Sequence, residues 1–295
     1  MFNISFIQEV DNSDPAFDHS NFLLLPATSA EAVLPFKRIP VTKEMFSLTD
    51  NFKRISLEKM DEVKLLNRFD SKFLFHFCQL QDILSEIQDN YYILSINDRV
   101  IQAYRTVYYD TPADFFYLSH HNGKLNRFKV RKRCYMNSGT CFLEVKFKDN
   151  KGKMKKTRIT SASGSEVLTA AELAFISEQT GGNFPDLSVR MENSFNRITL
   201  VNRNFSERCT LDFNLSFRNH LAEKTIHDLV IAELKHNRYK SASAMSFAMK
   251  NQHIFESSFS KYCIGRALVQ PGMKRNKFKP TLLRIDKHFK VTSHE

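Results

Sequence analysis

Thirteen lysines and arginines fall between Lys124 and Arg158, against only Glu144 and Asp149, and this local excess equals the +11 net charge of the whole 295-residue chain. A charge run is often just a solvated face. Here, however, the cations alternate with apolar residues. Arg127, Lys129, Arg131 and Arg133 share one face of an extended strand, and Phe128 and Val130 share the other. Four cations on one strand face repel each other unless an anion or water screens them. From this pattern alone, a solvated face and a polyanion site fit equally well.

The surrounding elements decide how such residues are presented. Residues 51–67 have helical spacing, and RFDSKFLFHF reads as a strand carrying Lys72. Leu80, Ile83, Leu84 and Ile87 form the stripe of an amphipathic helix over 79–90. A strand is expected at 104–110, and Thr111-Pro112 opens a short helix through Leu118. Asn122-Gly123 turns into a basic strand over 124–135. A strand follows at 141–148, with Leu143, Val145 and Phe147 opposite Glu144, Lys146 and Lys148, and Asp149-Asn150-Lys151-Gly152 turns into a third that ends at Arg158. Thr169 and Glu172 form a capping box for a helix that stops at Gly181-Gly182. Three more strands are expected at 194–201, 207–217 and 228–235, then a helix over 241–257.

These make about eight strands, several of them charged on one face and apolar on the other. An open sandwich with its charged faces to water satisfies that pattern. So does a closed barrel with a polar interior and an apolar exterior covered by helices. Residues 1–50 are broken by prolines and read as a partly ordered extension. Residues 51–273 hold the barrel elements, and 274–295 form a loosely held basic tail.

Composition narrows the class. Hydrophobic residues make up 42% and charged residues 25%, as in ordinary soluble domains. The five cysteines are scattered with no C-x-x-C, so reduced thiols in a cytoplasmic protein are the simplest expectation. No apolar run approaches a membrane span, and the opening MFNISFIQEVDNSD is not expected to act as a secretory signal. A nucleic-acid groove needs aromatics and cations on one face. Phe128 and Phe147 lie opposite the cations, so nucleic acid is not expected.

Taken together, these motifs resemble the polyphosphate-polymerase (VTC, vacuolar transporter chaperone) domain, a branch of the triphosphate tunnel metalloenzymes. The resemblance spans about 52–265. It rests on the order of RFDSKF, YRTVYYDT, NGKLNRFKVRKRCY, CFLEVKFK, KMKKTR, FNRITL, ERCTLDFNLSF, IAELK and FSKYC. It implies an α+β fold built on a closed, antiparallel eight-stranded barrel. It also implies catalytic contacts from Lys72, Arg131, Arg133, Lys146, Lys156, Arg197 and Lys261. Substrate contacts would come from Arg127, Lys129, Arg158 and Ser260, and a metal ligand from Glu233. Where the family has a tyrosine two residues before the central arginine, this chain has Phe195, so one hydroxyl contact to phosphate is lost.

The implied reaction moves the γ-phosphate of ATP onto inorganic polyphosphate with Mn²⁺ or Mg²⁺. The resemblance leaves room for a membrane-protein partner that exports product and could hold the protein at a membrane. Triphosphate hydrolysis is the second expectation. It ranks lower because the hydrolytic branches carry an early E-x-E-x-K, whereas Asp70 is the only acid in R-F-D-S-K. A non-catalytic polyphosphate-binding protein ranks below both, because Glu233 and Lys72 are retained.

Overall fold

The computed structural model describes residues 47, 49–61, 68–162, 164–237 and 243–294. Residues 1–46 and 48 of the expected 1–50 extension, and residues 62–67 of the expected 51–67 helix, lie outside these. In chain order the elements are β1 (Lys53–Ile55), α1 (Leu57–Asp61), β2 (Arg68–His76), α2 (Leu80–Ile87), β3 (Tyr91–Leu94) and β4 (Gln102–Asp110). Next come α3 (Phe115–His121), β5 (Arg127–Tyr135), β6 (Cys141–Lys148), β7 (Met154–Ser161), α4 (Ala170–Thr180), β8 (Ser188–Asn202) and β9 (Glu207–Arg218). The chain ends with β10 (Glu223–Ile226), β11 (Leu229–Asn237), α5 (Ala244–Asn251), α6 (Lys261–Val269), α7 (Lys279–His288) and β12 (Val291–His294).

The protein is α+β, with one large sheet. Its eight main strands are the eight expected from alternation, in the spatial order β2-β11-β9-β8-β4-β5-β6-β7, and every neighbouring pair is antiparallel. The expectation of a closed eight-stranded barrel needs correction. Among the described residues β2 and β7 are not hydrogen-bonded to each other, and the sheet has twelve strands. The four extra strands, β1, β3, β10 and β12, hold three or four residues each, too few to show a period of two. Side-chain fields still cross the gap. Lys146 on β6 acts on Glu233 of β11, and Lys72 on β2 acts on Lys129 of β5. The sheet is therefore curled, and β5 and β9 both reach the N-terminus of α6, through Lys129 with Ser260 and Asp212 with Lys261.

The outward face is apolar and covered by helices. Val130, Leu143 and Val145 pack under Phe175 and Ile176 of α4. Ile198, Leu200, Leu211, Phe213, Ala232 and Leu234 pack under α2 and α5. The stripe Leu80, Ile83, Leu84 and Ile87 is fully buried there. Burial of these side chains removes their apolar surface from water and supplies most of the driving force for the curled sheet. α6 takes a different place. It packs with Tyr104, Tyr108, Phe195 and Ile231 of the inner face. Gly265 allows the close approach, because a Cβ there would collide with Met191 and Phe217 of the sheet.

Several local expectations change. Residues 53–55 form a strand parallel to β3 rather than the start of a helix. Helix 241–257 shortens to α5. Residues 274–294 are not a loose tail, because α7 buries Leu282 and Ile285 and β12 pairs with β10. The cysteines are not all reduced. The turn after β5 sets Cys134 directly across from Cys141, and a disulfide joins them. Among the described residues no helix is long and apolar enough to cross a membrane.

Candidate active site on the concave face

Strand parity builds the site. On β5, the odd-numbered residues Arg127, Lys129, Arg131 and Arg133 point to the concave side, while Val130 and Lys132 point under α4. Register then aligns neighbours on the same side, with Lys129 opposite Lys146 and Lys146 opposite Lys156. Across the concavity, β2 places Lys72 beside Glu233 of β11, and β8 places Arg197 beside Asp212 of β9. α6 bridges the two walls at its N-terminus. Lys129 Nζ donates to the N-cap Ser260 Oγ at 3.1 Å, and the next residue, Lys261, donates to Asp212.

Three carboxylates lie among these cations. Glu144 Oε2 accepts from Arg131 Nε at 2.6 Å and pairs with its second nitrogen at 2.5 Å, and Lys156 lies 3.7 Å from Oε1. Asp212 accepts from Arg197 Nε at 2.6 Å and Nη2 at 2.8 Å. Glu233 pairs with Lys72 at 2.6 Å and with Lys235 at 3.8 Å.

The electrostatics follow from burial and crowding. Burial would raise all three acids, but the cations outweigh it. Arg131 and Lys156 hold Glu144 well below the carboxylate range, Lys235 and Lys72 do the same for Glu233, and Arg197 with Lys261 bring Asp212 to about 2. The cations pay for this crowding. Repulsion from Arg131, then burial, pushes Lys146 well down. Burial, then neighbouring cations, lowers Lys129 and Arg133. Burial, only partly offset by Asp212, brings Lys261 to about 8. Lys72, Lys129, Arg131, Arg133, Lys146, Lys156, Arg197 and Lys261 thus face Glu144, Asp212 and Glu233, with a clear positive excess.

The expected site residues are brought together on this one face. Arg158 lies on it too, its guanidinium 4.5 Å from the Phe142 ring. Arg127 donates to the Lys124 carbonyl at 2.8 Å. Nearby, burial and then the fields of Lys129, Arg127, Lys277 and Lys148 bring His120 down to about 2, so it is neutral. Phe195 stacks on Tyr104 with ring centroids 5.1 Å apart, beneath Arg133, Arg197 and Lys261. It supplies an aromatic face to three cations. Asp70 is exposed and lies opposite Lys235 in the β2–β11 register, two residues from Lys72 on the same strand face.

Sequence reasoning passed over Asp212, although its place with Arg208 and Thr210 on the polar face of the 207–217 strand was the available signal. Lys132, between Arg131 and Arg133 on β5, points away from the site and is buried rather than solvated. It is 2% exposed, 3.1 Å from Glu172 and donating to the Ser165 carbonyl at 2.9 Å.

A divalent cation finds limited protein ligation here. Among the described residues, no group of three His, Cys, Asp or Glu side chains is arranged to hold a metal. Glu233 offers a hard oxygen donor at the site, on which Lys72 and Lys235 already sit. That donor set suits a cation arriving with phosphate oxygens as its other ligands, the usual habit of Mg²⁺.

The VTC domain profile matches residues 67–270, most of the chain, and the chain belongs to the VTC domain family. No curated protein matches it. Solved structures with a loosely similar fold include a candidate adenylate cyclase from Bacillus halodurans, 12% identical, with 66% of this chain and 94% of that one aligned at a TM-score of 0.44. Another, from Vibrio parahaemolyticus, is 13% identical, with 67% and 98% aligned at 0.39. A third, from Hippeastrum and described as having dominant triphosphatase activity, is 12% identical, with 67% and 94% aligned at 0.42. At these scores the likeness carries no argument about chemistry.

Proposed function

We propose that the concave face binds the phosphates of ATP and inorganic polyphosphate, and that the protein is a metal-dependent polyphosphate polymerase acting inside a cationic tunnel. The observation that carries this reading is the excess of buried and half-buried cations over carboxylates on one curved face. Membership of the VTC domain family supports it. Phosphoryl transfer needs positioning and charge neutralisation more than covalent chemistry. Arg131 and Arg133 with Lys146 and Lys156 form one wall around the phosphates, and Lys72, Arg197 and Lys261 form the other. Arginine forks suit phosphate oxygens, and lysines add point charge. Glu233 would hold Mn²⁺ or Mg²⁺ together with phosphate oxygens, and the metal, when bound, would neutralise charge on the transferred group.

The test is incubation of the protein with ATP and Mn²⁺, followed by separation of the products. Polyphosphate chains appearing with ADP support polymerisation. Phosphate release without chain growth makes the protein a hydrolase, and neither product contradicts both enzymatic readings. Glu233→Gln is expected to lose turnover and keep polyphosphate binding. Normal turnover by that variant rules out the metal assignment.

A further inference from the structure

Asp212 is an acid in a site built for anions. It is 2% exposed, and both of its oxygens are used. Arg197 from β8 grips it bidentately, and Lys261 from the first turn of α6 donates to Oδ2. A bidentate carboxylate fixes the plane of a guanidinium, which is otherwise on a flexible stem. Tyr104 and Phe195 support the same two cations from beneath. Arg197 lies 5.2 and 5.3 Å from the two ring centroids, and Lys261 lies 4.5 Å from that of Phe195.

With Nε and Nη2 committed to Asp212, Nη1 of Arg197 has no protein partner among the described residues. Two ammonium protons of Lys261 are equally uncommitted. The third acid-held cation group is looser, because Glu144 takes Arg131 through a single oxygen and reaches Lys156 only at 3.7 Å.

We propose that Asp212 is a positioning residue that locks Arg197 and Lys261 into one fork presented to a single phosphate of a polyphosphate ligand. This rests on the polyphosphate-binding reading of the concave face. The opposite role is that of a competing counter-ion, which occupies the two cations until a phosphate displaces it. The two roles predict opposite effects of removing the charge.

The probe is inorganic tripolyphosphate, titrated calorimetrically into wild type, Asp212→Asn and Asp212→Glu, with melting curves to establish folding. Positioning predicts that Asp212→Asn weakens binding about tenfold or more. It also predicts weaker binding for Asp212→Glu, which keeps the charge but moves the oxygens. Unchanged or tighter binding by Asp212→Asn makes Asp212 a counter-ion and overturns the proposal. If Asp212→Asn does not fold, Asp212→Glu decides, and wild-type affinity in that variant overturns the proposal.

A pH series adds a readout that a purely structural role would not move. Lys261 is faced by Asp212 on β9, Arg197 on β8 and Glu233 on β11. Removing the carboxylate leaves the ammonium less supported. Affinity in Asp212→Asn should therefore fall away at lower pH than in wild type, and the ligand's own titration cancels in the comparison. Coincident pH curves count against positioning. Wild type that does not bind tripolyphosphate removes the polyphosphate reading and this inference together. Wild type that binds, with Asp212→Asn binding as well or better, removes the inference alone.

Discussion

On β5, residues next to each other in sequence carry the same charge into two different environments. Lys132 enters the convex side, where Glu172 and a backbone carbonyl meet it and the local charge sums to zero. Glu172 is itself held by Ser161 and by its capping-box contacts with Thr169. Arg131 and Arg133 enter the concave side, where cations outnumber carboxylates and repel one another. Burial does not separate the two cases, since all three side chains are less than a tenth exposed. Charge balance does. A balanced buried pair holds a fold together, and an unbalanced buried cluster is kept at a cost that an anionic ligand can relieve.

The largest expected effect tests the balanced side. Lys132→Ala leaves Glu172 buried without its cation and should cost about 3 kcal/mol or more in urea denaturation. The folded fraction should bind tripolyphosphate as wild type does. A loss of affinity with intact stability would put Lys132 in the site and erase the contrast.

The next effect is a pH dependence of opposite sign for stability and binding. Lys129, Lys146 and Lys261 have folded pKa values below that of a free lysine, 10.5, and Lys261 is at about 8. Above pH 8 the unfolded chain therefore binds more of these protons than the folded one, and these groups add stability as pH rises towards 10. Over the same range the concave face loses positive charge, so tripolyphosphate affinity should fall. Denaturation midpoints and titrations across that window check both signs. Affinity that holds steady while stability rises would separate the depressed lysines from the ligand.

The smallest effect belongs to Phe195→Tyr. The new hydroxyl offers one neutral hydrogen bond, worth about 1 kcal/mol, so affinity should rise by no more than several-fold. A much larger gain would mean that the aromatic pair limits binding.

Much of this contrast was legible in the sequence. The alternation of Arg127, Lys129, Arg131 and Arg133 against Phe128 and Val130 fixed which side chains share a face, because strand parity is a local property. The same logic gave all eight main strands and the helix stripe at Leu80, Ile83, Leu84 and Ile87. What could not be read depended on distant partners. Nothing near Lys132 announces Glu172, forty residues later. Ring closure depends on whether β2 meets β7, and alternation within either strand is indifferent to that. α6 was overlooked because its N-cap Ser260 follows an irregular stretch and its buried face is shaped by the inner surface of the sheet. Asp212 was hidden by its sign, since an acid looks out of place in an anion site until Arg197 and Lys261 are seen to hold it.

The most direct measurement is a calorimetric titration of tripolyphosphate into wild type and Arg133→Met, with denaturation midpoints for both proteins without ligand. Arg133 lies against the Tyr104 and Phe195 rings, and repulsion from Arg131 adds to the burial that lowers its pKa. Charge imbalance predicts that wild type binds, and that Arg133→Met loses at least about tenfold in affinity while keeping or gaining stability. A variant that binds tripolyphosphate as tightly as wild type and unfolds more easily would make the concave cations structural and contradict the account.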